Sequence, residues 1–129
     1  MEVHIFDKTP YEGEPNARVR EVLEKLHALG KAVIAVRDKY ASANIVGIVW
    51  LGLDGRDLVI RGDGGPEGEC SCHVHVMWSK VVDCVLRLED VTNGLGPEPV
   101  IYLVTDVGEI MLRIFYPHKT FAEIEALLV

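Results

Sequence analysis

The strongest constraint on the fold is a succession of short runs rich in valine and isoleucine, separated by glycine, proline, aspartate and asparagine. KAVIAVRD at residues 31–38, NIVGIVWLGL at 44–53, DLVIRG at 57–62, CSCHVHVMW at 70–78, KVVDCVLRLED at 80–90, VIYLVTD at 100–106 and IMLRIFYP at 110–117 follow one another. β-branched side chains favour the pleated backbone, so the runs read as strands. Asp54-Gly55 joins the second run to the third, and Asp106-Val107-Gly108-Glu109 joins the last two; both are hairpin signals. DGGPEGE (63–69) opposes both helix and ladder and is a loop, and TNGLGPEP (92–99) is read as the loop before VIYLVTD.

Two segments keep a helical period instead. In PNARVREVLEKLHALG (15–30), Val19, Val22, Leu23, Leu26 and Leu29 fall on one face, with Pro15 near the first turn and Gly30 just past the end. In KTFAEIEALL (119–128), Phe121, Ile124, Leu127 and Leu128 do the same. The expected fold is α+β: a large antiparallel β-sheet of six or seven strands with an N-terminal and a C-terminal helix, in a single domain over residues 1–129. Apolar residues make up 49% of the chain and charged residues 26%, which suits a compact core.

Charge and composition also narrow the partners. No apolar run approaches the roughly 18 residues of a membrane span, and MEVHIFDKTPYEGEP lacks the basic head and apolar middle of a signal peptide. A cytoplasmic chain with reduced thiols at Cys70, Cys72 and Cys84 is the expectation. The net charge of −7 repels nucleic acid and anionic lipid, so neither is an expected partner.

CSCHVHVMW is where metal-binding chemistry concentrates. On a strand, alternation sends Cys70, Cys72, Val74, Val76 and Trp78 to one face and His73 and His75 to the other. A Cys2His2 zinc sphere would need a sharp bend that Val74 and Val76 oppose. A Cys70–Cys72 disulfide would have to close over roughly 6.5 to 7 Å between Cα atoms, at or past the geometric limit. The cysteines read as small apolar core residues. His73 and His75 can offer two imidazoles to one metal ion or line the wall of a flat ligand's pocket, and they can equally sit on a solvated face. His4, His27 and His118 are the other histidines that a metal site could recruit.

Several of these features together resemble the haem-utilisation proteins of the HemS, ChuX and HutX type. The resemblance is carried by RGDGG at 61–65, the strand HVHV, VVDCVLRLED, a Gly/Pro loop, and VIYLVTDVGEIMLRIFYP before a terminal helix. Gly108, Leu112, Arg113, Ile114 and Phe115 match the family's closing hairpin, with arginine in place of lysine. The helix RVREVLEKLHALG running into KAVIAV is similar as well, and the likeness extends over residues 16–128. It implies large antiparallel sheets with flanking helices, a homodimer, and binding or carriage of haem, a tetrapyrrole, in intracellular iron utilisation. His75 stands where relatives often place a histidine and is the first candidate ligand, with His73 second.

Haem also needs an apolar slot and cations for its propionates. Arg61 and Arg113 are the candidate cofactor-binding cations, with Arg87 and Lys80 further possibilities. Catalytic signals are sparse: Ser42, Ser71 and Ser79 lie in no nucleophile elbow, and DGGPEGE carries the wrong charges for cradling phosphate. The residues point to binding before catalysis. Two alternatives are a divalent-metal protein using His73 and His75, and a non-catalytic oligomeric scaffold that kept the fold and lost haem binding.

Overall fold

The computed structural model describes residues 2–7, 17–37, 39–54, 57–62, 73–77, 80–89 and 97–129, with the backbone alone at 7, 17–20, 50–54, 57–62 and 73. The elements run β1 (Glu2–Asp7), α1 (Ala17–Ala28), β2 (Lys31–Arg37), β3 (Ser42–Asp54), β4 (Asp57–Gly62), β5 (His73–Met77), β6 (Val81–Glu89), β7 (Glu98–Thr105), β8 (Ile110–Phe115) and α2 (Phe121–Leu128).

Helix α1 forms where the apolar period predicts it, burying Val22, Leu23 and Leu26. Its end is set by Gly30, at φ +83°, a left-handed conformation that costs glycine little. The Gly30 amide bonds to the His27 carbonyl at 3.1 Å, and the Leu29 amide to Lys25 at 3.0 Å, which leaves Leu26's carbonyl without an intrahelical donor. The Tyr116 hydroxyl donates to it at 2.9 Å, linking the helix to the end of β8. Helix α2 starts at an N-cap: Thr120 Oγ1 accepts from the Glu123 amide at 3.1 Å and donates to Glu123 Oε1 at 3.2 Å.

The strands make one antiparallel sheet in the order β1-β6-β7-β8-β2-β3-β4-β5. Asp54 pairs with Asp57 around the first anticipated hairpin. At the second, Gly108 takes φ +80° and its amide bonds to the Thr105 carbonyl at 2.9 Å. The α+β class is as anticipated, with one more strand: β1 precedes the first helix and pairs with β6 at the edge of the sheet. Residues 63–69 lie outside the described residues, as do 92–96, while Glu98 and Pro99, expected in a loop, open β7 opposite Glu89 and Leu88.

Register defines two faces. Leu86, Ile101 and Ile114 are successive cross-strand partners, followed by Ile34 and Ile45. This face packs on both helices, with Val22, Leu23, Leu26, Ile124 and Leu128 joining its core cluster. Full burial of each large side chain contributes about 1.5 to 3 kcal/mol. A bulge between Val81 and Asp83 brings Val81, not Val82, into that core, and Leu127 is on the rim of α2 at 37% exposure. Leu88, at the end of β6, is exposed too, so the alternation of that run holds only through Leu86.

Candidate ligand-binding face

The opposite face carries the candidate site residues. Along β5, Val74 and Val76 pack into the helix-side core while His75 and Met77 are exposed, the alternation that the sequence predicts. β5 is the last strand of the sheet, so one of its edges is unpaired among the described strands. His75 is the cross-strand partner of Val59, and His73 of Arg61. The backbone thus sets positions 61 and 73 side by side, although the side chains of both lie outside the described residues, as do Cys70, Cys72 and Trp78.

A second cluster occupies β6, β7 and β8. Tyr102 is partnered by Val85 on one side and Arg113 on the other, and Arg113 in turn by Ala35. Val85, Val100, Tyr102 and Ala35 are buried on this side of the sheet, outside the helix-side cluster. Arg87 and Arg113 both lie over the Tyr102 ring, their Cζ atoms 5.3 and 5.5 Å from its centroid, within cation–π range. Arg87 Nε donates to Glu2 Oε2 at 2.7 Å. Arg113 is less well satisfied. Its Nε is 3.9 Å from Glu89 Oε2, beyond a hydrogen bond, and both atoms are buried with no hydrogen-bond partner among the described residues.

Register keeps the two groups apart. Four strand spacings, about 19 Å, separate β8 from β5. Along the strands Arg113 aligns with Asn44 and His75 with Trp50, an offset of six residues or about 20 Å. One planar tetrapyrrole on one chain does not touch both His75 and Arg113. Of the anticipated set, the backbone therefore groups His73, His75 and Arg61, and places Arg113 with Arg87. Glu89 is a residue that sequence reasoning missed, because an acidic residue at a strand end carries no signal beyond solvation.

The other histidines serve elsewhere. His4, on the opposite edge strand, has Nδ1 3.1 Å from Asp83 Oδ1 and Nε2 3.6 Å from Glu2 Oε1. His27 Nδ1 donates to the Val49 carbonyl at 3.0 Å, and His118 follows β8. Among the described residues no group of three His, Cys, Asp or Glu side chains is placed to hold a metal ion. Cys84 is wholly buried; burial, with the charge of Asp83 adding to it, pushes its thiol well above the usual range and away from the thiolate that binds metals.

Solved structures share this architecture. ChuS, a heme-degrading enzyme of Escherichia coli O157:H7, matches with a TM-score of 0.64 over 89% of this chain at 19% identity. A second structure of ChuS, described as an E. coli heme oxygenase, matches with 0.64 at 17% identity, and ChuX with 0.61 at 16%. The fold is that of ChuS and ChuX. The chain spans about a third of ChuS, 32% in the first structure, and 70% of ChuX. No family model matches the sequence, and no curated protein does. No helix among the described residues is long and apolar enough to cross a membrane. Within the ChuX-like fold, His75 sits on a terminal strand of the sheet, on the face away from both helices.

Proposed function

We propose that this chain binds haem or a similar tetrapyrrole, with the His75 imidazole as axial ligand. The observation that carries the reading is the place of His75, exposed on a terminal strand of a ChuX-like sheet, on the face away from both helices. Haem bound there would supply the iron; the chain supplies the nitrogen donor and a neighbouring cation. Arg61 is the better propionate partner than Arg113, because it is the cross-strand partner of His73, two residues from His75. His73 is the second donor in this proposal.

A homodimer fits the same face. Phe115, Val33 and Val46 form a cross-strand row of half-buried to exposed apolar side chains, with Val46 at 49% exposure, and a second copy would cover it. Titration with hemin tests the function: a Soret shift saturating near one equivalent is expected in the wild type, with the shift lost in His75→Ala. No shift at stoichiometric protein refutes it. Sedimentation equilibrium reading a monomer at high concentration would rule out the dimer.

A further inference from the structure

We propose that Glu89 is a displaceable internal counter-ion of Arg113, and that the guanidinium it half-covers is a binding point for an organic carboxylate, separate from His75. Arg113 is mostly withdrawn from water, with 14% of its side chain exposed, yet its Nε–H has no acceptor among the described residues. A buried guanidinium N–H is a strong, directional donor, and leaving it unmade is unfavourable. Glu89 is the obvious acceptor and does not reach it: the atoms stay 3.9 Å apart, and Oε2 is itself buried without a partner.

The local register accounts for the stand-off. Glu89 is the direct cross-strand partner of Glu98, and like charges opposite each other repel. Arg113 is drawn the other way, over the Tyr102 ring that it shares with Arg87. Arg87 already has a carboxylate, Glu2, at 2.7 Å. A carboxylate arriving from outside would thus find one arginine satisfied and the other holding an open Nε–H, with an aromatic ring fixing the guanidinium plane. Glu89 competes for that position, so removing its charge should favour the ligand.

The test follows the Arg113 Nε–H resonance by 15N NMR during titration with sodium benzoate, in wild type and Glu89→Gln. A saturable shift is expected in both, with the midpoint about fivefold lower in Glu89→Gln, the ratio for losing one partly exposed competing ion pair. Arg113→Lys, which keeps the charge but lacks the Nε–H, should not show saturation when read from the Tyr102 ring signals. Absence of any shift in Glu89→Gln, or equal midpoints in the two proteins, overturns the proposal. Hemin and its dimethyl ester then distinguish the sources of carboxylate. A shift with hemin and not with the ester assigns the site to the tetrapyrrole's own propionate, and a shift with benzoate alone assigns it to a free carboxylate. The benzoate arm decides the matter even if hemin fails to bind, so this inference and the haem reading fail separately.

Discussion

Replacing Tyr116 with phenylalanine removes one oxygen atom and isolates a specific buried contact. The hydroxyl donates at 2.9 Å to the carbonyl of Leu26, and the two amides that close α1 bond to Lys25 and His27 instead. Phenylalanine fills the same volume, so packing against the core is retained and no cavity term arises. What remains is a buried carbonyl with no donor, which costs about 1 to 3 kcal/mol. Taking about 1.5 kcal/mol for a domain of this size, the melting temperature should fall by about 6 °C, and the urea midpoint should drop with an unchanged slope. Alkaline pH supplies an independent check. Burial, with the neighbouring Cys84 adding to it, pushes the Tyr116 hydroxyl up, so the folded chain keeps a proton that the unfolded chain loses above about pH 10. Wild-type stability therefore falls as pH rises beyond that point, and Tyr116→Phe lacks this component, so the gap between the two proteins should narrow at high pH. A loss below about 0.3 kcal/mol at neutral pH, or a gap constant to pH 11, would refute the assignment of this hydroxyl as the donor that closes the helix.

Further substitutions probe the rest of the framework. Cys84 is fully buried with its thiol pushed up, so wild-type stability should fall from about pH 8.5 upward by about 1.4 kcal/mol per unit, and Cys84→Ala should remove that slope while losing packing at neutral pH. Ile101→Ala, at the centre of the helix-side row, should cost about 2 to 5 kcal/mol in urea denaturation. Thr120→Ala removes the cap of α2 and should cost about 1 kcal/mol, recovered in large part by Thr120→Ser.

Much of the framework was legible because it is local. The helical spacing of Val22, Leu23 and Leu26, the glycine after α1, and the two turn signals each specify their own element, and the sheet confirms them. β1 was not legible. Its bulge between His4 and Phe6 places Ile5 and Phe6 both in the core, which breaks the alternation that marks a strand, and its partner Val85 lies 81 residues beyond His4. Strand order, with β6 and β7 on one side of β8 and β2 on the other, is likewise set by tertiary packing.

The site divides in the same way. Alternation in HVHV was enough to put His75 opposite Val74 and Val76, since it is a property of one strand. The grouping of Arg113 with Arg87, Tyr102 and Glu89 needs the register of three strands, and no single run of sequence contains it. The separation of Arg113 from His75 is invisible for that reason as well. A basic residue reads as a possible propionate partner until strand order shows how much sheet lies between.

Paramagnetic NMR on the full chain with hemin bound tests directly whether haem sits at His75. Ferric iron broadens resonances near it, so haem held by His75 should selectively remove signals from His75, Met77 and their β4 neighbours, with α1 and α2 unaffected. Broadening centred on the helices, or on β6 and β7 with β5 untouched, would contradict it.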